Sequence, residues 1–186
     1  MTGPRVFVSS TFYDLKQVRA DLESFIEEMG YEPILHEKGS IPYGKHKPPE
    51  AYAYQEVELC DIMVSIIGGR FGTESKQERG YSISQNELRR AIAKGVPIYI
   101  FIDKNVDTEF YTYLENKKNP RVRYRFVDNT RVFEFIEDLR KLPCNNAIFT
   151  FEKCSEIIDY LKAQWAGSFR NFLQEQKKEV RGEILN

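Results

Sequence analysis

Between Asp61 and Ile102, two wholly apolar runs, DIMVSII and VPIYIFI, flank a glycine turn, GGRFG, and a helical segment, YSISQNELRRAIAKG. Runs without polar alternation do not suit half-exposed strands; they suit parallel strands covered on both faces by helices. The residues between them therefore form a crossover. In open α/β sheets the turns after strand C-termini face the crevice where ligands bind. That places Gly68, Gly69, Arg70, Phe71 and Gly72 at the crevice, with Glu87 on the crossover helix reaching toward it.

The rest of the chain repeats the alternation. RVFVS at 5–9 predicts a first buried strand. Leu15, Val18, Leu22, Phe25, Ile26 and Met29 recur at helical spacing up to Gly30, a C-terminal stop, and Thr11 with Asp14 resembles a cap for that helix. A short strand over 32–36 leads into a Pro/Gly-rich loop over 37–49. A helix over 50–60 follows, with Ala51, Tyr54 and Val57 inward. Beyond Ile102 the spacing predicts a helix over 107–117 on Phe110 and Leu114, and an edge strand or extended loop at 124–127. Next come a helix capped by Thr130, a strand over 147–151 and a long final helix. Strand and helix alternating in this way specify an α/β doubly wound sheet, mostly parallel, in the flavodoxin-like order 2-1-3-4-5 with helices on both faces. Residues 1–174 read as one domain and 175–186 as a charged tail or linker. The order sets the ends of strands one and three side by side, so Ser9, Ser10 and Thr11 are expected to face Gly68–Gly72.

Charge excludes little: 27 Lys and Arg stand against 28 Asp and Glu, which favours neither nucleic acid nor an anionic membrane as partner. The sequence shows neither a secretory signal pattern nor an apolar stretch of membrane-spanning length, so a cytoplasmic protein is expected. Cys60, Cys144 and Cys154 are odd in number and widely spaced, which predicts reduced core residues rather than disulfides or a metal site. The only histidines, His36 and His46, stand near no nucleophile and form no multi-histidine metal site. Lys45, His46 and Lys47 make a small basic patch, either solvated or binding a phosphate or a partner.

Two readings of Glu87 stand side by side. Ser84-Gln85-Asn86-Glu87 matches the S-x-x-E capping box, in which the carboxylate returns to the Ser84 N–H. Alternatively, a partly buried carboxylate beside a ligand cleft acts as nucleophile or electrostatic stabiliser at an oxocarbenium-like sugar carbon, as glycosidic bond cleavage requires. The glycine turn permits close backbone approach, and Arg70 could pair with a phosphate or carboxylate. Its spacing matches neither a P-loop nor the dinucleotide fingerprint, so no cofactor is expected. Phe71 or Tyr81 either stacks on a nucleobase or covers core.

VFVSSTFYDLKQVR, CDIMVSIIGGRFG and YSISQNELRRAIAKGVPIYIF together resemble TIR-like domains of unknown function that precede NACHT or other STAND-type ATPase modules. More distantly, the chain resembles the superfamily uniting TIR domains with nucleoside 2-deoxyribosyltransferases. The resemblance implies Glu87 as the catalytic carboxylate, preceded by Ser84 in a T-x-x-E-like position. It implies that Ser9, Ser10, Thr11 and Asp14 line the ribose or phosphate side, and that the 37–49 loop is an assembly loop. NAD or a related nucleotide would be substrate rather than cofactor, and self-association and a STAND ATPase would be the partners, in immune or antiphage signalling. The alternatives it leaves are a non-catalytic interaction or nucleotide-sensing module, and a nucleoside deoxyribosyltransferase.

Overall fold

The computed structural model describes residues 3–11, 14–35, 48–145 and 147–184, without the side chains of 179 and 181–184. His36, the 37–47 part of the expected loop and its basic patch at Lys45, His46 and Lys47 lie outside these residues. The chain divides into two compact units, 1–152 and 153–186.

The first unit holds β1 (Arg5–Ser9), α1 (Lys16–Glu28), β2 (Glu32–Ile34), α2 (Pro49–Leu59), β3 (Ile62–Ile67), α3 (Ile83–Lys94), β4 (Ile98–Asp103), α4 (Lys104–Asn116), α5 (Arg131–Arg140) and β5 (Ala147–Phe151). The five strands form one sheet in the order β2-β1-β3-β4-β5, and every pairing is parallel. Both apolar runs are central strands, as their lack of alternation predicts: Met63, Val64, Ile100, Phe101 and Ile102 are all inaccessible to solvent. Ser9 pairs with Ser65 at the C-terminal ends of β1 and β3, which is the switch point of this strand order.

Local chemistry corrects several boundaries. Thr11 and Asp14 do not cap α1; Thr11 Oγ1 donates to Asp14 Oδ1 at 2.5 Å, and no side chain among the described residues caps that helix. Val18 and Met29 are not buried, whereas Arg19 is. The helix stops at Gly30 as expected, with φ 77° and the Tyr31 N–H returning to the Ile26 carbonyl at 3.0 Å, the closed turn that glycine permits. In α2 it is Glu50 and Ala53 that join Tyr54 and Val57 inside, not Ala51. The fourth helix begins at Lys104 rather than 107, because the Asp103 carboxylate accepts the N–H groups of Asn105 and Val106 directly at the strand end. Its inner face is Val106, Phe110 and Tyr113, with Leu114 exposed. Thr130 makes no side-chain cap for α5; Asn129 Oδ1 accepts the Arg131 N–H at 3.0 Å instead. Residues 124–127 form no strand, and the N–H groups of Arg125, Phe126 and Val127 converge on the Glu109 carboxylate. Only Cys60 of the three cysteines is buried.

The second unit is α6 (Cys154–Ile184), a single helix. Ile157, Leu161 and Trp165 are buried along one row, and Phe169, Phe172, Leu173 and Val180 are exposed. No helix among the described residues is long and apolar enough to cross a membrane.

Candidate active site

Helix α3 starts two residues before the S-x-x-E pattern would have it start. Ser82 is the N-cap, its Oγ accepts the Gln85 N–H at 3.2 Å, and the Gln85 carbonyl oxygen accepts the Ser82 N–H at 3.0 Å. The capping box is thus Ser82 with Gln85, and the Ser84–Glu87 box is overturned. A short antiparallel bridge between Glu74 and Ser82 explains the choice. It holds Ser82 extended, at φ −77° and ψ 165°, the conformation an N-cap needs. Glu87, released from capping, lies one turn into the helix and is 4% exposed.

There it meets β1. Ser9 Oγ donates to Glu87 Oε2 at 2.5 Å, and the same hydroxyl lies 3.4 Å from the Ser84 carbonyl oxygen. Both partners are buried. Asn86, fully buried beside Glu87, accepts from Arg89 through Oδ1 at 3.0 Å, while its Nδ2 and Oε1 of buried Glu50 have no hydrogen-bond partner among the described residues. Tyr54, on the adjoining face of α2, donates to Ser75 Oγ at 3.2 Å. Burial raises its phenol above the ordinary value, with Glu50 and Glu87 adding repulsion against ionisation.

The glycine turn after β3 is closely packed. A Cβ on Gly68 would lie 2.5 Å from Asp14 Oδ2, one on Gly72 would lie 2.9 Å from Thr11 Cγ2, and one on Gly69 would lie 1.7 Å from the Phe126 carbonyl oxygen. At Gly69 the neighbour is backbone, so only glycine fits there. Asp128 secures the far side: its N–H donates to the Gly69 carbonyl at 3.0 Å and its carboxylate accepts the Phe71 N–H at 2.9 Å. The turn is therefore held between the β1–α1 connection and the 126–128 segment, as the strand order predicted for its first neighbour.

A cleft opens over this junction. Thr11, Gly68, Arg70, Phe71 and Ser84, all expected at the crevice, line it together with Ser65, Ser82, Gln85, Val132 and Phe135. Ser9 and Glu87 form a buried pair beside this lining rather than in it, and Ser10 is engaged by buried Arg19 at 2.7 Å. The cavity volume is about 20 Å³, room for roughly one water molecule. Ser65 carried a readable signal, a hydroxyl inside an otherwise apolar run. Val132 and Phe135 carried none, since only the fold brings α5 here.

A family model for a domain of unknown function, DUF4062, matches residues 5–166. The chain belongs to that family. No curated protein matches this DUF4062 domain. Among solved structures it is similar to the Clostridium botulinum CMP N-glycosidase BcmB, at 17% identity and a TM-score of 0.48 over 86% of this chain and 98% of that one. It is also similar to a 2-deoxyribosyltransferase from Bacillus psychrosaccharolyticus, at 16% identity and a TM-score of 0.37 over 53% of this chain and 72% of that one.

Proposed function

We propose that this DUF4062 domain cleaves the N-glycosidic bond of a nucleotide, with Glu87 as the carboxylate that acts at the sugar carbon. The observation that carries the proposal is the Ser9–Glu87 pair. A carboxylate with no capping duty is held by a hydroxyl at the β1–β3 switch point, next to a cleft rimmed by hydroxyls, glycine and an arginine. Burial of such a group is costly unless it is bonded, and a developing positive charge at C1′ would offset that cost in the transition state. As the C1′–N bond breaks, its electron pair leaves with the base, and the Glu87 carboxylate bonds to or stabilises C1′. Water then adds to C1′ and loses a proton, completing hydrolysis. If a second base takes the place of water, the outcome is deoxyribosyl transfer.

The finer reading draws on the sequence resemblance. The domain is a TIR-like effector acting on NAD or a related nucleotide, switched on by self-association beside a STAND-type ATPase in immune or antiphage signalling. A cleft this small has to open before a nucleotide reaches Glu87. The same small cleft, with Glu87 outside its lining, favours a second reading: a nucleotide-sensing or interaction module that breaks no bond.

Glu87→Gln separates them, because the amide keeps the size of the side chain and an oxygen for Ser9. Parent and variant would be incubated with NAD, with nucleoside monophosphates, and with deoxynucleosides plus free bases, and released or exchanged base measured by chromatography. Turnover lost in the variant is the expected result. Equal turnover would remove Glu87 from the chemistry, and none in either protein after forced assembly leaves the non-catalytic module.

A further inference from the structure

Arg131 opens α5 at the rim of the cleft. Its carbonyl oxygen accepts from Gln85 Nε2 at 3.3 Å, so its backbone is tied to the capping box, and Val132 next to it lines the cavity. The guanidinium stacks over the Phe71 ring, 4.0 Å from the centroid, and its Nη1 reaches Glu74 Oε1 at 3.0 Å. Glu74 Oε1 also accepts the Gly80 N–H at 2.9 Å. One cation therefore covers an aromatic face at the cleft, held there by a partly exposed carboxylate and by Asn129 Oδ1, which accepts from its Nε at 3.4 Å; an exposed ion pair of this kind is weak. Arg70, next to Phe71 in the chain, is exposed and has no ion-pair partner among the described residues.

A base can stack on Phe71 only where the guanidinium is not. Arg131 leaves that ring at least cost when another anion replaces Glu74, and guanidinium prefers the bidentate geometry a phosphate offers. A neutral nucleoside would have to displace the arginine with nothing in exchange. Resting on the nucleotide reading above, we infer that the cleft selects phosphorylated nucleotides over free nucleosides, with Arg131 moving from Glu74 to the ligand phosphate and uncovering Phe71 for the base. Arg131 is in this sense a specificity-determining residue.

The test is calorimetric titration of the Glu87→Gln protein with cytidine and cytidine 5′-monophosphate, and with adenosine and its monophosphate, before and after further substitution. The monophosphates should bind at least about tenfold more tightly than the nucleosides. Arg131→Ala should erase that difference while strengthening nucleoside binding, Arg131→Lys should keep only part of it, and Glu74→Gln should widen it. Equal affinities in the starting protein, a preference that survives Arg131→Ala, or no binding of any of the four overturns the inference. Turnover is read separately. Loss of base release on Glu87→Gln without a phosphate preference would leave the glycosidase reading standing alone, and a phosphate preference without any turnover would leave only the Arg131 switch.

Discussion

Ser9 and Glu87, 78 residues apart in sequence, share one buried hydrogen bond of 2.5 Å. It joins the end of a strand to the first turns of a crossover helix, so sheet and helix are bonded at the point where the cleft begins. Ser9→Ala leaves the carboxylate short of this donor, and a hydrogen bond to a charged group is worth about 1.5–3 kcal/mol. We expect a loss of that order in urea unfolding, with a smaller loss for Glu87→Gln. A Ser9→Ala protein as stable as the parent would show that the pair contributes nothing to folding.

The position of the cap can be checked with two serines that lie two residues apart. Ser82→Ala removes the side-chain acceptor for the Gln85 N–H, and loss of an N-cap costs about 1 kcal/mol. Ser84→Ala should cost clearly less, since its hydroxyl only meets that of Ser82 at 3.2 Å. The reverse ranking in denaturant midpoints would restore the S-x-x-E assignment.

Gly69→Ala should be among the most damaging small substitutions in the chain. The new methyl would meet backbone at 1.7 Å, which a side-chain rotation cannot relieve, and overpacking of this kind costs about 1–3 kcal/mol or more. Gly95→Ala is the control: φ is +70° with open space around it, so only the left-handed backbone penalty of about 1–2 kcal/mol applies. Thermal melts of the two variants should separate them, with Gly69→Ala lower.

Cys60 supplies a pH prediction. Burial raises its thiol from 9.0 to about 11 in the folded chain. The unfolded chain releases that proton first, so the contribution is complete below pH 9 and is lost as pH rises to about 11. Tyr54, raised by burial from 10.0, adds to the fall above pH 10. Cys60→Ala should flatten the part of the stability curve between pH 9 and 11. In the native protein at pH 8 a thiol reagent should label exposed Cys144 ahead of Cys60, and labelling of Cys60 should require denaturant.

The order of the strands, their parallel pairing and the meeting of the Ser9–Thr11 bend with the double-glycine corner could be read from the chain alone. Unbroken apolar runs have one economical burial, between two layers of helices, and the crossover rule then leaves few topologies. Where α3 starts could not be read. Ser82-x-x-Gln85 and Ser84-x-x-Glu87 are both capping sequences, and the tie is broken by the Glu74–Ser82 bridge, a contact that exists only once the loop has folded back. Nor could the sequence show that Arg131 covers Phe71 or that Phe126 presses on Gly69. Local pattern determined the elements, because burial period and backbone preference act between near neighbours. The site belongs to the tertiary structure, because its decisive contacts are hydrogen bonds and close approaches between segments that the chain itself keeps 50 or more residues apart.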